Sequence, residues 1–590
     1  MEGLGRTTCD NSVRMDDLLS VEDGRMELRL PEGWVSPAIV EAYGLAESGR
    51  IEQARDRIAR APAGPSPVGQ AGSPIRAAMT SLLLAMTYQR IGWFDQAGRA
   101  FEGALAIYPH AAICNEAACF CHTRGQFAKA LDYRRRAVQL QPNTPILRAN
   151  LGSDLVHVGR LQEGVDQLGQ ASQEAPADPV IGSMWISHLH YLPRLDRSVL
   201  FEEHRQWGQR HAPARGSGPV PAGDTGGRRR LRVGFLSPDF HGHSVAYFFE
   251  PVLDGRDSRA VEIYGYGNVA SPDAVTARLA GKLDHYRPIR GLPDDQVVSL
   301  IWNDRIDILV DLAGHWRGHR LGVFGHRPAP IQVTYLGYPD TTGLGQIDYR
   351  LTDPRADLPD AGAYHTEQLV FLQDGFLCYR PPDHVLPVGP LPSAVHGQVT
   401  FGSFNNHCKV NPEVLGLWAR ILQKDHRFRL LLKFKGGDND QIRGHYLEQF
   451  GQYGVGDRVT IEGWKPAVEH LASYNAVDIA LDTYPYNGTT TTCEALWMGV
   501  PTLTLLGAHH CSRVGYSILH EVGLGPFVAH TPDEYLNKAV SFAAQIEHLA
   551  AIRQSLRPVM LASPLCDAGG FARRLETAFR WMWQQWVSRS

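Results

Sequence analysis

The sequence predicts two architectures in one chain: a helical-repeat solenoid in the first third and, after a linker, two doubly wound α/β lobes. Three observations carry this reading. Small residues and turn formers recur at a nearly constant step between residues 36 and 178. A stretch rich in Pro, Gly and Ser begins at Pro213. From Leu231 onward, short β-branched runs alternate with helical segments in two series separated by a Pro-rich break. At 590 residues the chain exceeds what one hydrophobic core organises, so several domains are required.

Composition narrows the function classes. The chain is 43% hydrophobic and 20% charged, as ordinary globular proteins are. A formal net charge of -4 supplies no global attraction to nucleic acid or to an anionic membrane, and neither is expected as a partner. Nine cysteines lie scattered without a CxxC pair, which fits a reducing, cytoplasmic setting. Cys119, Cys121 and His122 sit close in sequence, but on a helix positions i and i+2 point apart, so they make a poor metal set. No apolar run reaches membrane-spanning length, and the N-terminus lacks the apolar core of a secretory signal.

Taken in order, residues 1–35 carry no clear period and read as a tail. Residues 36–212 read as helical repeats. Gly92, Gly125 and Gly159 recur at steps of 33 and 34, as do Pro109, Pro142 and Pro176. Ala85, Ala118 and Gly152 keep the step in one helix; Ala97, Ala130, Gly164 and Ala104, Ala137, Ala171 keep it in the next. Small side chains allow close helix approach, glycine turns the chain and proline ends the second helix, which is the tetratricopeptide pattern. Gly49, Ala54 and Ala61 mark an imperfect copy upstream, and an aromatic-rich helical stretch around Trp185 and Trp207 caps the array. Such arrays present a concave face to polypeptides; packing onto neighbouring domains is the alternative use.

Residues 213–230 form the linker, closed by Arg228, Arg229 and Arg230, a run expected to be solvated. The first lobe, residues 231–390, carries strand candidates at Arg232–Ser237, Val261–Gly267, Ile306–Gly314 and Pro330–Pro339. The second, residues 391–565, carries them at Val399–Asn405, Phe428–Gly436, Arg458–Trp464, from Val477 and at Pro501–Gly507. Two such lobes imply a cleft lined by the C-terminal ends of their strands. Residues 566–590 form a closing amphipathic helix.

The second lobe contains the stretch that organises the rest. From Val477 it runs through a buried strand, a loop closed by Asn487 and Gly488, four threonines (Thr489, Thr490, Thr491, Thr492) and a helix expected from Cys493 to Met498. A helix N-terminus offers unpaired N–H groups and the positive end of the helix dipole, and threonine hydroxyls there either cap the helix or donate to an anion. Asn406 and Lys409 follow another strand, just ahead of a helix capped by Asn411 with Pro412 at its first position. Lys409 is placed to neutralise a phosphate there. Lys465 and His470 follow the next strand, beside Trp464. In the first lobe, Asp239, His241 and His243 follow the opening strand, where histidine suits proton transfer near neutral pH. His315 ends a later strand and is a weaker candidate of the same kind.

Together with the repeats, the segments DFHGHS, HRPAPIQVTYLGYPDTTG, FGSFNNHCKVNP, ALDTYPYNGTTTTCEALWMGVP and SRVG closely resemble the protein O-linked N-acetylglucosamine transferases, bacterial members above all. The resemblance implies a GT-B glycosyltransferase fold, UDP-GlcNAc as donor, inversion at the anomeric carbon, no metal or other cofactor, and polypeptide Ser/Thr hydroxyls as acceptors. By position it assigns Lys409 to the donor phosphates with Asn406 beside it, Thr490 and Thr491 to the diphosphate, His470 to the uracil and Glu494 to the ribose. It assigns His243 as the proposed base. Thr489, Gly488 and Lys465 fall within the same donor-binding segments.

Departures from the animal pattern, Thr489 in place of histidine and Ser473 in place of arginine, leave related donors such as GDP-fucose or UDP-glucose open. A non-catalytic scaffold is the rival class. Asp438-Asn439-Asp440 formally matches the DxD of metal-dependent transferases, yet it precedes a helix near Gln441 and reads as an N-cap.

Overall fold

A computed structural model describes residues 14–22, 25–31, 34–61, 73–212 and 229–589. Contacts divide the chain into two compact units, Met1–Ile181 and Gly182–Ser590. Most of the linker expected at residues 213–230 lies outside the described residues, as does the start of the tail.

The first unit is built of paired helices: Pro37–Glu47 with Ile51–Ala59, Pro74–Arg90 with Phe94–Ile107, Ala111–Thr123 with Phe127–Leu140, and Pro145–Val156 with Leu161–Glu174. The turn glycines of the pairs, Gly49, Gly92, Gly125 and Gly159, all have positive φ, the left-handed conformation that lets a helix end without a Cβ clash. The recurring small residues, among them Ala85, Ala97, Ala118 and Ala130, are buried where the helices meet. One polar network is buried with them. Asp154 Oδ2 accepts from Arg134 Nε at 2.9 Å, and its other oxygen meets His122 Nδ1 at 2.5 Å. Burial pushes the Asp154 carboxyl up, but Arg134 and His122 outweigh it and hold the group down at about 2.

The expected tail is not featureless. A helical turn, Met15–Leu18, leads into a hairpin of β1 (Leu19–Glu22) and β2 (Arg25–Leu28). Met15, Leu18 and Leu19 enter the repeat core, a contribution too short and aperiodic to register as a sequence signal.

The second unit contains two parallel sheets. The first comprises β3 (Leu231–Ser237), β4 (Val261–Gly267), β5 (His285–Pro288), β6 (Ile308–Asp311), β7 (Ile331–Thr334), β8 (Tyr349–Thr352) and β9 (Gln368–Phe371), in the order β5-β4-β3-β6-β7-β8-β9. The second comprises β10 (Thr400–Ser403), β11 (Arg429–Lys433), β12 (Val459–Glu462), β13 (Ile479–Leu481), β14 (Thr502–Leu505) and β15 (Val528–Ala529), in the order β12-β11-β10-β13-β14-β15. Each sheet reverses its winding once, between β3 and β6 and between β10 and β13. Those two switch points are where strand ends open a crevice for ligands.

Four strands of the second unit escaped the sequence reading. β5 ends on a proline and is partly exposed, β9 is an edge strand, and β15 has only two residues. β8 contains Arg350, a charge that argues against a buried strand until its partners are seen: the guanidinium donates to the carbonyls of Tyr338 and Asp340. The arginine run also differs from expectation. Arg229 makes a two-pronged ion pair with Asp307 and lies 4.5 Å from the Trp583 ring, so it is fastened rather than solvated.

Helices Pro179–Leu189 and Arg197–His211 were expected to close the repeats. From Gly182 onward they group with the lobes instead, because their polar and aromatic side chains pack there: Ser183 Oγ lies 3.0 Å from His315 Nδ1, and His190 and His204 converge on the Tyr338 hydroxyl. The closing helix, Ala568–Arg589, crosses back to the first lobe, where Glu576 accepts from the N–H of Asp257 at 2.8 Å. Among the described residues no helix is long and apolar enough to cross a membrane.

Candidate active site

The second lobe's switch point gathers most of the residues singled out from sequence. After β10 the chain makes a short 3-10 turn, His407–Lys409, with Asn406 Oδ1 accepting from Cys408 N at 3.1 Å. Helix Pro412–Lys424 follows, capped by Asn411 as expected, and the Asn411 amide also donates to the Tyr484 carbonyl at 2.6 Å. That bond ties the loop after β10 to the loop after β13.

Lys409 reaches across this junction. Its Nζ donates to the Asn487 carbonyl at 2.7 Å and lies 4.1 Å from the centre of the Tyr486 ring. Among the described residues no carboxylate lies within ion-pair distance of it. Burial pushes its pKa down to about 8, against the opposing pull of Asp482. A part-buried ammonium held only by a carbonyl and a π face keeps most of its charge available for an anion.

Beside Lys409 lies the helix Thr490–Trp497, which starts three residues earlier than expected. Its first turn is therefore threonine. Thr489 at the N-cap makes no side-chain cap, so the first-turn N–H groups stay available. The threonines divide the work: Thr492 Oγ1 donates back to the Gly488 carbonyl, Thr491 Oγ1 donates to Asn405 at 2.9 Å, and Thr490 Oγ1 is buried without a partner. Asp482, at the end of β13, shapes the loop by accepting from the N–H of Gly488 at 2.6 Å and from Thr504 Oγ1 at 2.8 Å.

Gly488 is required by this packing. A Cβ there would stand 2.4 Å from Thr491 Oγ1 and 2.8 Å from Asn405 Oδ1. Gly488→Ala therefore forces Thr491 off Asn405, and overpacking of this size costs about 1–3 kcal/mol. If that cost falls on the liganded state, nucleotide affinity drops about 10- to 100-fold. Calorimetry against UDP checks this; unchanged affinity would show that the threonine turn does not touch the ligand.

His470, Glu494 and Lys465 lie on the same lobe. The His470 ring bridges two charges, with Nε2 3.0 Å from Glu494 Oε2 and Nδ1 against Lys433 Nζ. Lys433, at the end of β11, is only 4% exposed, and burial lowers its pKa to about 8. Lysine donates to Nδ1, so the ring proton lies on Nε2 and is donated in a hydrogen bond to the Glu494 carboxylate. Lys465 is instead paired with Glu462 at 2.7 Å and Ser473 at 3.3 Å. Sequence reading missed Lys433, Asn405, Tyr486 and Asp482. The signal for Lys433 was a lone charge closing the apolar run Leu430–Leu432.

On the first lobe, the loop after β3 holds Asp239, His241 and His243, and His243 caps the helix Ser244–Gly255 by accepting from Val245 N at 3.3 Å. One turn into that helix, burial raises the Tyr247 hydroxyl, with the charge of Glu494 acting in the same direction. Burial also lowers His243 and pushes Asp239 up to about 6. His315 is placed differently from expectation. It is 2% exposed with Nδ1 at Ser183 and Nε2 at the Thr342 carbonyl, so both nitrogens are engaged in packing the helices onto the lobe. The Asp438–Asp440 segment does what the sequence indicated: Asn439 caps helix Asp440–Gln452 through Gln441 N and Ile442 N.

Comparison with known proteins agrees with this geometry. The chain matches glycosyl transferase family 41 over residues 221–385 and 391–575. It is 41% identical over 407 residues to a Hordeum vulgare protein named probable UDP-N-acetylglucosamine–peptide N-acetylglucosaminyltransferase SPINDLY, covering 68% of this chain and 43% of that one. It is 30% identical over 378 residues to the Arabidopsis thaliana protein of the same description named SEC, covering 62% and 38%. The chain thus spans less than half the length of these plant relatives. The solved structure of a Thermobaculum terrenum O-GlcNAc transferase mutant superposes with a TM-score of 0.82 at 35% identity, over 88% of this chain and all of that one. With more than half of its residues matched, the chain belongs to glycosyl transferase family 41.

Proposed function

We propose that this chain transfers N-acetylglucosamine from UDP-GlcNAc to serine and threonine hydroxyls of polypeptides, with inversion and without a metal. The observation that carries the reading is Lys409, a cation with no carboxylate partner among the described residues, set beside a helix N-terminus whose Thr490 hydroxyl is buried and unpaired. A diphosphate satisfies both. The printed names of the plant and Thermobaculum relatives support this donor and acceptor.

The chemistry follows from charge. When an acceptor oxygen attacks the anomeric carbon, the bond to the diphosphate breaks and negative charge grows on the departing oxygen. In this reading Lys409 and the first-turn N–H groups of Thr490–Trp497 stand beside that charge and stabilise the transition state more than the ground state. Attack from the face opposite the diphosphate inverts the sugar. Glu494 and His470 are the carboxylate and imidazole offered to the nucleoside, with Lys433 holding the imidazole in one tautomer. The repeats of the first unit supply a surface for the polypeptide.

Calorimetry against UDP, GDP, UDP-GlcNAc, UDP-glucose and GDP-fucose tests the donor, with product release measured on a peptide mixture. UDP-GlcNAc is expected to bind and turn over at an undiminished rate in excess EDTA. Preference for a guanosine donor would reassign the sugar; binding of none would make the lobes a scaffold. Restoration of an EDTA-inhibited reaction by magnesium or manganese would end the metal-free reading.

A further inference from the structure

Asp239 stands at the mouth of the first lobe's switch point with a carboxylate that accepts no hydrogen bond from any described residue. Its backbone N–H is used, donating to Ser237 Oγ at 3.0 Å. Its side chain is only 16% exposed, and the nearest donors, His241 Nε2 at 3.8 Å and His243 Nδ1 at 3.6 Å, lie beyond hydrogen-bond reach. A largely buried carboxylate usually finds donors, since leaving it bare is costly. Here the cost is maintained in the loop that follows β3, at the first lobe's switch point.

His243 is engaged elsewhere. Its Nδ1 accepts the N–H of Val245, which places the proton of the neutral ring on Nε2. Burial keeps the ring neutral near pH 7. An imidazole in that state donates from Nε2 and has no lone pair for a substrate proton unless it abandons its cap. The other ionisable groups facing the loop are His241 and, across from it, Asp273, which accepts from the N–H of Gly242 at 2.8 Å. Neither contributes a hydrogen bond to the Asp239 carboxylate.

We propose that Asp239, rather than His243, receives the proton of the incoming hydroxyl. The inference rests on the glycosyl-transfer reading and assigns the proton within it. As the hydroxyl oxygen bonds to the anomeric carbon, the bond from that carbon to the phosphate oxygen breaks and its electron pair leaves with the diphosphate. The O–H proton passes to the Asp239 carboxylate, and the resulting acid returns it to solvent after product release. Burial, which raises the Asp239 carboxyl to about 6, makes it a stronger acceptor than an ordinary aspartate while leaving it ionised at neutral pH. His243 is then a positioning residue that fixes the loop through the helix cap.

Three variants of the full chain test this: Asp239→Asn, Asp239→Glu and His243→Asn, each assayed for transfer between acid and alkaline pH and for UDP affinity by calorimetry. Asp239→Asn should lose about 10²–10⁴-fold in transfer with UDP binding intact, and the acidic limb of kcat/KM near pH 6 should vanish. Asp239→Glu should keep that limb at a shifted midpoint. His243→Asn retains an oxygen that caps Val245, so it should keep the limb and lose no more than about tenfold. Near wild-type transfer by Asp239→Asn overturns the proposal, as does loss of the acidic limb in His243→Asn. A wild-type chain that binds no nucleotide sugar would overturn the glycosyl-transfer reading itself.

Discussion

Lys409→Met lowers glycosyl transfer by about 10²–10³-fold, the usual loss when one preorganised stabiliser of developing charge is removed. The methionine preserves bulk against Tyr486 and deletes only the ammonium that donates to the Asn487 carbonyl. Slow hydrolysis of the donor should fall in parallel, since it breaks the same sugar–phosphate bond. The wild-type pH profile carries the same signature. Because burial lowers Lys409 to about 8, the proposed leaving-group role makes kcat/KM fall as pH rises through that value, when the protonated lysine is lost. Initial rates of UDP release, with and without an acceptor peptide, measure both effects. A Lys409→Met variant that transfers and hydrolyses as fast as wild type would remove Lys409 from the leaving-group site.

Arg134→Ala destabilises the repeat unit by about 3–5 kcal/mol, the range for removing one partner of a buried ion pair. The loss arises because Asp154 remains buried beside His122 and His157 without its guanidinium partner, while the Asn115 carbonyl and side-chain oxygen lose the bonds that Arg134 gives them. Replacing both charges, as in Arg134→Met with Asp154→Leu, should recover most of the stability. The pair also sets an acid limit. The folded Asp154 titrates near 2, below its ordinary value of 3.8, so its contribution is present above the ordinary value and lost as pH falls through the folded one. Urea unfolding followed in the repeat unit measures these changes. A single variant that unfolds within 1 kcal/mol of wild type, on the scale of an exposed pair, would show that the network is not a stabilising one.

Much of the candidate site's local structure was legible because its signals are local. Asn411 before Pro412, Asn439 before a helix, and a strand, loop and threonine run ahead of an apolar helix all declare themselves within a few residues, as capping and strand burial do. Lys409 could be singled out because the chain places it just ahead of a capped helix. The reading was weaker where a residue's role depends on partners remote in sequence. His315 looked like a strand-end histidine of the same kind as His243, yet the Ser183 hydroxyl and the Thr342 carbonyl absorb both of its nitrogens. Lys465 was placed in a donor-binding segment and is paired with Glu462; Lys433 lay unremarked inside the strand expected over Phe428–Gly436 and donates to His470. Arg350 would have argued against β8 in any sequence reading, since nothing nearby announces the two carbonyls that accept from it.

By itself the sequence determined the class of the molecule: helical repeats, two alternating α/β lobes, and the order in which a lysine, a glycine and four threonines meet strand and helix ends. Periodicity, turn chemistry and capping act over a few residues, and the chain states them directly. Tertiary structure decided which charges are spent and which remain. Arg229, Lys465 and His315 are committed to partners, whereas the Lys409 ammonium has no carboxylate within ion-pair distance and the Asp239 carboxylate accepts no hydrogen bond among the described residues. The physical reason is that desolvation and hydrogen bonding depend on everything that packs around a group. Only the folded chain brings those neighbours together, and so only it separates a structural ion pair from a charge kept ready for chemistry.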